Sequence, residues 1–282
     1  MDLSAFVSAF DAAVEASLQW IGDHGQRFFD GVRAALEAAY GAAHWLALAL
    51  PAAAVALILA ALGWRALGPR FGLLTGAALL ACAAMDLWPQ TMSTLALVAT
   101  ATLLALVVAI PLGVAAGFMP KLDRWLEPVL DLVQTLPPYI YLLPAIALLG
   151  YGPATALMAT FIVAAPPAIR LTSLGIRMTP KEFIELGEAS GMTGWQMFAK
   201  IRLPFALPSI MAGVNQSLMM AFGMVVIAGI VGSGGLGETI YKAIRTLDVA
   251  KSIDAAIAIV ILTIVLDRLT QSASAAGEGR AR

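Results

Sequence analysis

The stretch from residue 92 to residue 118 reads MSTLALVATATLLALVVAIPLGVAAGF and contains no charged side chain. A helix needs about 20 apolar residues to cross the hydrocarbon core of a bilayer, so this stretch is long enough to span it. The whole chain has the same character, because 60% of its 282 residues are hydrophobic, 12% are charged and the mean hydropathy is +0.86. A soluble domain carries about twice that charged fraction. The composition therefore predicts an all-α polytopic membrane protein.

Outward from this stretch, the chain contains seven apolar segments that can be interpreted as spans, and we expect between six and eight. They are 44–62, 71–88, 92–118, 128–149, 152–169, 205–231 and 253–270. The fourth contains Pro137, Pro138 and Pro144, which predict a kinked or partly unwound span. We expect 44–88 to form two accessory transmembrane helices and 271–282 to form a C-terminal tail.

Residues 1–43 differ in kind from the apolar segments. Hydrophobic residues recur at helical spacing up to Ile21 and the pattern restarts at Phe28, after the sequence Gly22-Asp23-His24-Gly25. Acidic residues occupy the other face. This pattern predicts two short amphipathic helices lying at the membrane interface.

The distribution of Lys and Arg predicts the orientation. If the loop 170–204 is cytoplasmic, most of the basic residues of the chain lie on the same side of the membrane. Since basic residues are enriched in cytoplasmic loops, we expect the N-terminus outside and the C-terminus in the cytoplasm.

The loop 170–204 is charged although apolar runs flank it. Thr179, Pro180 and Glu182 together predict a helix start, with Thr179 as the N-cap residue. Three glycines then follow at 187, 191 and 194. Because glycine costs about 1 kcal/mol relative to alanine inside a helix, the glycines predict a bend and a close backbone contact.

The spacing in this loop resembles a known motif. Glu185-Leu186-Gly187, three residues, Gly191, nine residues, Ile201, one residue and Leu203-Pro204 are similar to the EAA loop of ABC importer permeases. The sequence departs from that consensus at Leu186 and Gly187, where the consensus has two alanines. Residues 204–270 and the sequence Gln134-Thr135-Leu136-Pro137 resemble the permease subunits of glycine betaine and proline betaine importers.

The resemblance implies a type I ABC importer permease fold with its core at 92–270, in the bacterial inner membrane. It implies four kinds of partner: a cytoplasmic ABC ATPase dimer, a periplasmic or tethered substrate-binding protein, a second permease copy and membrane lipid. The implied ATPase-coupling residues are Glu185, Gly187, Glu188, Ala189, Gly191, Met192, Ile201, Leu203 and Pro204. The implied function is ATP-driven uptake of compatible solutes for osmoprotection.

The sequence agrees with a non-catalytic subunit that lacks its own motor. It contains no P-loop motif and no Gly-Lys dipeptide, so ATP and Mg are expected to be used by the partner ATPase and no cofactor by this chain. The net charge of −1 argues against nucleic acid as a partner. His24 and His44 are too isolated to predict a metal site, and Cys82 is expected to be a buried hydrophobe.

Two clusters of polar and polarizable side chains are candidates for the translocation pathway. They are Gln134, Thr135, Tyr139 and Tyr141 in the fourth segment and Asn215, Gln216, Ser217, Met220 and Met224 in the sixth. Intramembrane polar residues usually face a cavity or the protein interior. The same side chains can instead hydrogen-bond neighbouring helices, and methionine often fills core space, so both interpretations stay open.

Alternatives to the betaine importer are retained. The substrate can be choline, carnitine, another small amine or an amino acid, since the permease sequence does not determine it. An ion-coupled secondary transporter would need ionisable residues within the membrane, but Asp131, Asp254 and Asp267 lie near segment ends. The glycine-rich sequence 232–237 is expected to be a tight outer turn that touches the binding protein together with Glu238, Lys242 and Arg245.

Overall fold

The structure is a computed structural model that describes residues 3–281, with side chains described for residues 7–272. The described residues form helices and short connections, which confirms the all-α fold. The α-helices are α1 (Leu3–Leu48), α2 (Ala52–Leu67), α3 (Pro69–Ala84), α4 (Trp88–Phe118), α5 (Pro120–Thr135), α6 (Leu142–Leu149), α7 (Pro153–Arg177), α8 (Lys181–Ala189), α9 (Gly194–Met197), α10 (Leu203–Ala228), α11 (Gly235–Thr246) and α12 (Val249–Ala281). Two 3-10 turns lie at Pro138–Tyr141 and Gly229–Val231, and a π-helical turn lies at Phe198–Arg202.

Four of these helices are long and apolar enough to cross a membrane. They are α4, α7, the continuous rod Gly194–Val231 that contains α10, and α12. Two further pairs would each qualify together but are sharply bent, α1 with α2 by 93° and α5 with α6 by 104°. The described residues therefore offer up to six spans, at the lower end of the expected range.

The structure corrects the first predicted span. The segment 44–62 is not one helix, because α1 ends at Leu48 and α2 begins only after Pro51. Proline lacks the backbone N–H that would continue a helix, so the chain turns there. The bend predicted for 128–149 is confirmed, because α5 ends at Thr135 and Pro137 precedes the 3-10 turn.

The N-terminal region is one continuous helix, so the prediction of two short helices is wrong. Gly22 and Gly25 lie inside α1 without breaking it. Each glycine lowers helix stability by about 1 kcal/mol, but the apolar stripe continues past both, and Leu36 and Tyr40 anchor its C-terminal half on the main core.

Helix α7 forms the centre of the fold, between α4 and α10. In its most apolar stretch 67% of the residues are buried, compared with 22% in α12. Small residues allow the close packing: a Cβ atom on Gly113 of α4 would lie 2.7 Å from the Ile169 carbonyl oxygen, and one on Gly175 of α7 would lie 2.8 Å from Ser209 Cβ of α10. Such small-residue contacts are typical of membrane helix interfaces.

The hairpin of α2 and α3 lies at the periphery. Phe71, Leu74 and Ala78 of α3 line a groove together with Ile261 and Val265 of α12. Large apolar side chains on the outer faces of these helices are exposed, among them Leu57, Leu73, Val260 and Ile264. An exposed apolar surface of this kind suits a lipid environment.

Candidate functional site

The candidate coupling segment comprises residues 178–204 and has a different helix start from the predicted one. Thr179 is not the N-cap of α8, because its hydroxyl is buried and donates to the Ile176 carbonyl, 3.0 Å away. Pro180 occupies the cap position without a side-chain cap, and Glu182 lies in the first turn. The Thr179 side chain therefore closes the end of α7 instead.

A capping box does occur in this segment, but at α9. The Thr193 hydroxyl accepts from the Gln196 backbone N–H at 3.3 Å, and Gln196 Oε1 accepts from the Thr193 backbone N–H at 2.9 Å. The spacing of Thr193 and Gln196 matches the capping-box pattern, so this cap could have been predicted from the sequence.

Gly187 packs α8 against the rest of the coupling segment. It is buried, and a Cβ atom there would lie 2.6 Å from Met197 Cε and 2.9 Å from Ile201 Cδ1. The small residue therefore leaves room for a close contact within the chain. Leu186, the second departure from the consensus, is 61% exposed and takes no part in that contact.

Gly191 allows a backbone conformation that residues with a side chain rarely adopt. Its φ of +70° is left-handed, and no atom lies within 4 Å of the position that a Cβ would take. The backbone N–H of Gly191 donates to the Glu188 carbonyl and that of Met192 to the Gly187 carbonyl, each at 3.0 Å. Left-handed glycine at the end of a helix closes the last turn in this way.

The remaining coupling residues divide into an inner and an outer group. Ile201 is buried with Gly187, whereas Met192 and Leu203 are half-buried. The exposed residues are Glu185, Glu188, Ala189, Gly191 and Pro204. Trp195 lies among them and is 72% exposed. An exposed surface that mixes large apolar and acidic side chains is typical of a protein interface.

The pathway candidates of the fourth segment lie at the bend between α5 and α6. Gln134, Thr135 and Tyr139 are exposed. Tyr141 is half-buried, and its hydroxyl donates to the Val133 carbonyl across the bend at 2.8 Å. The turn Pro138–Tyr141 also contacts α10, which brings this cluster close to the helix that carries the second one.

The candidates of the sixth segment lie on several faces of α10. Asn215 Oδ1 lies 2.9 Å from the Thr270 hydroxyl of α12, which can donate to it or, at the same distance, to the Leu266 and Asp267 carbonyls of its own helix. Gln216 is exposed and Met220 is half-buried. Ser217 and Met224 are buried among the helices of this chain, and the Ser217 hydroxyl has no hydrogen-bond partner. The Asn215 contact is the helix-to-helix bond of the alternative interpretation.

Two ion pairs between α5 and α7 were not predicted from the sequence. Asp123 pairs with Arg177 and accepts from the Ser173 hydroxyl at 2.7 Å, and Asp131 pairs with Arg170. The acidic residues of α5 recur every four positions, which places them on one helix face. From that spacing, an acidic helix face able to pair with basic residues of another helix could have been predicted.

The turn at 232–237 is built by close packing. A Cβ atom on Gly237 would lie 2.0 Å from the Val225 carbonyl oxygen, and the Leu236 backbone N–H donates to the Thr94 hydroxyl at 2.8 Å. Glu238 accepts from the Gly234 backbone N–H at 2.8 Å and pairs with Lys242. The hydrogen bond from Lys242 is the main cause that holds the pKa of Glu238 below its usual value.

Both histidines have other contacts. His24 stacks on Trp20, and His44 Nε2 lies 3.0 Å from the Ser93 hydroxyl. Within the part of the chain that the structure describes, no group of three or more His, Cys, Asp or Glu residues could hold a metal ion. Cys82 is buried as expected.

Comparisons with known proteins agree with this geometry. Residues 109–274 match the family described as binding-protein-dependent transport system inner membrane component. The chain is 40% identical, over 93% of its length and 74% of the relative, to the glycine betaine/proline betaine transport system permease protein ProW of Escherichia coli. It is 39% identical, over 92% of both chains, to the glycine betaine transport system permease protein OpuAB of Bacillus subtilis.

The fold is also similar to that of a solved transporter. An inward-facing structure of the MetNI methionine ABC transporter superposes with a TM-score of 0.55 at 24% sequence identity. The match covers 67% of this chain and 92% of the solved chain. The type I importer permease fold expected from the resemblance is therefore confirmed.

Proposed function

Because the chain belongs to the binding-protein-dependent transport system inner membrane components, a family of multi-pass transport permeases, we propose that it forms the membrane pathway of an ATP-driven importer of glycine betaine and proline betaine. The observation that carries this proposal is the similarity to the Escherichia coli permease along 93% of the chain. Uptake of such compatible solutes would serve osmoprotection.

The proposal requires partners that supply energy and substrate. A cytoplasmic ABC ATPase dimer would use ATP and Mg, and a periplasmic or tethered binding protein would deliver the solute. Two copies of this chain would form the pathway between them. The absence of a P-loop motif supports a separate ATPase, because this chain has no loop to hold the nucleotide phosphates.

We assign the coupling role to the outer surface of the segment 178–204. Its exposed acidic residues and Trp195 would contact the ATPase, whereas Gly187 and Ile201 would hold the segment together from within. For this role the segment must face the cytoplasm, which agrees with an outside N-terminus. The core at 92–270 would carry transport, and the peripheral hairpin within 44–88 would be accessory.

The proposed pathway residues differ in exposure, and therefore in the support for a pathway role. Gln134, Tyr139 and Gln216 are exposed on this chain and are free to face a passage between two copies. Ser217 and Met224 are buried in the helix packing and would reach a passage only if the helices moved. A quaternary ammonium solute is usually bound by aromatic faces, and we assign most of that selectivity to the binding protein.

Reconstituted transport tests the proposal. The permease should be produced with a cognate ABC ATPase and binding protein from the same organism and placed in proteoliposomes. We expect uptake of radiolabelled glycine betaine that requires ATP inside and the binding protein outside, and that persists when ion gradients are abolished. Uptake that needs an ion gradient and no ATP would support a secondary transporter instead.

Competition in the same assay assigns the substrate class. Unlabelled proline betaine should compete with glycine betaine, and choline and carnitine test the alternative amine substrates. Methionine serves as the amino-acid control. A complex that imports only choline, carnitine or methionine would refute the betaine assignment while leaving the importer assignment intact.

A further inference from the structure

We propose that Phe118, Phe198 and Arg202 form the link through which a displacement of the coupling surface reaches helix α4. This inference rests on the proposed function, because it concerns how the coupling segment acts on the spans. It assigns a positioning role to three residues that are not among the coupling residues implied by the motif: Phe118 lies outside the coupling segment, and Phe198 and Arg202 lie within it.

The link begins at the surface. Trp195 is 72% exposed on α9, and its ring lies 5.5 Å from that of Phe198, measured between centroids. The Phe198 ring in turn lies 5.9 Å from the ring of Phe118, the last residue of α4, at an interplanar angle of 61°. These distances fall within the range of favourable aromatic pairs. A row of contacting rings therefore runs from the exposed surface to the end of a membrane span.

Arg202 contacts Phe118, the last ring of the row. Its guanidinium carbon lies 4.8 Å from the centre of the Phe118 ring, within the distance of a cation–π interaction. The Arg202 Nε atom is buried without a hydrogen-bond partner. The contact with the Phe118 ring is therefore the interaction that the structure shows for this cation.

The backbone at this point is also unusual. Phe198 and Arg202 are the two ends of the π-helical turn, in which the Leu203 backbone N–H donates to the Phe198 carbonyl. The turn interrupts an otherwise continuous rod that runs from Gly194 to Val231. Single π turns within α-helices occur frequently at functional sites. Here the turn places both of its end residues against Phe118.

Movement of Phe118 would be passed on to the centre of the fold. At the preceding residue, a Cβ on Gly117 would lie 2.7 Å from Ile176 Cβ of α7, so the two helices are in close contact there. Phe198 also packs against the cluster formed by Ile176, Ala206 and Ile210. The rings thus join the coupling segment to α4, α7 and α10 at one point, as a coupling element requires.

The test uses the complete transporter in proteoliposomes and measures the number of solute molecules imported per ATP hydrolysed. We expect Phe118→Leu and Arg202→Gln each to lower this ratio by about threefold or more, the factor that corresponds to loss of one cation–π contact. Phe118→Tyr keeps a ring and should keep the wild-type ratio. Phe71→Leu is the matched control, because it removes a ring of the same size from the peripheral hairpin.

The melting temperature of each complex separates coupling from packing. A ratio that stays at the wild-type value in Phe118→Leu and Arg202→Gln would overturn the link, even if both variants were less stable. If Phe118→Leu does not assemble, Arg202→Gln decides, since it removes the charge and keeps a long side chain. If the wild-type complex shows no ATP-driven uptake, the proposed function and the link are both refuted. If Phe71→Leu uncouples the transporter and the two link variants do not, only the link is refuted.

Discussion

The interface of α4, α7 and α10 and the coupling segment both depend on glycine, but the surroundings of the glycines differ. Gly113 and Gly175 of the interface lie against backbone and Cβ atoms of neighbouring helices. Gly187 of the coupling segment meets the ends of the Met197 and Ile201 side chains, and Gly191 meets no atom within 4 Å. Backbone atoms cannot move aside without moving a helix, whereas side-chain ends can rotate. A side chain added at an interface glycine must therefore move a helix, whereas one added at Gly187 need only move the ends of two side chains.

The largest effect is expected where backbone surrounds the glycine. Gly113→Leu places a side chain against the Ile169 carbonyl and Thr172, and we expect it to destabilise the permease by about 3 kcal/mol or more. The measurement is the yield and melting temperature of the purified protein. Gly223→Leu is the control, because no atom lies within 4 Å of its Cβ position. Equal stability of the two variants would show that the backbone contacts of Gly113 do not constrain the interface.

A smaller change in stability with a larger change in function is expected at Gly187. The variant Gly187→Leu should push α8 away from Met197, at a cost of about 1 kcal/mol, and should uncouple ATP hydrolysis from uptake. Adding Met197→Ala makes room for the new side chain and should restore part of the coupling. If the double variant is no better coupled than the single one, the contact does not control the position of α8.

The pair of Asn215 and Thr270 tests a contact of intermediate strength between α10 and α12. Asn215→Leu and Thr270→Val each remove the same hydrogen bond between α10 and α12, and each should cost about 0.6 to 2 kcal/mol. Thermal unfolding and uptake per folded complex are measured on both variants. If Asn215 only joins the helices, the two variants behave alike and uptake per complex is unchanged. Blocked uptake in Asn215→Leu alone would assign this residue to the pathway.

The smallest effect is expected at the ion pair of Glu238 and Lys242 on α11. Because the pKa of Glu238 is lowered in the folded protein, its contribution to stability is present above the unfolded pKa and is lost as the pH falls through the folded value. Glu238→Gln should therefore lower stability by about 0.5 kcal/mol at neutral pH and make no difference at acidic pH. Melting temperatures of both proteins across this pH range test the sign.

The sequence predicted those parts of the fold in which one physical effect dominates. The uninterrupted apolar run of α4 and the prolines at 137 and 138 each have one structural consequence, and both predictions are confirmed. The prediction of a helix break at Gly22 was wrong because a cost of about 1 kcal/mol per glycine does not end a helix whose C-terminal half is anchored on the main core by Leu36 and Tyr40. Thr179 was wrongly assigned as a cap because a threonine hydroxyl can close the helix before it as readily as begin the one after it.

For the candidate site, the sequence predicted a coupling segment, which stays a proposal, but not the contacts within it. The spacing of Gly187, Gly191 and Ile201 marked the segment. Only the structure shows that Gly187 lies against Ile201 and that Gly191 adopts a left-handed backbone conformation. The ring of Phe118 could not be paired with Arg202 from the sequence, because 83 intervening residues must fold before the two meet. Contacts between distant parts of the chain carry no local signal.

Helix α1 has a consequence for the surroundings of the protein. With 46 residues and a rise of 1.5 Å per residue, it is about 69 Å long, more than twice the thickness of the hydrocarbon core of a bilayer. The sequence predicts that this helix lies along the boundary with water, with its polar face toward solvent. In that position it would extend beyond the footprint of the four long helices. On that side of the molecule, α1 would then set the distance of closest approach for any neighbour that diffuses laterally in the membrane.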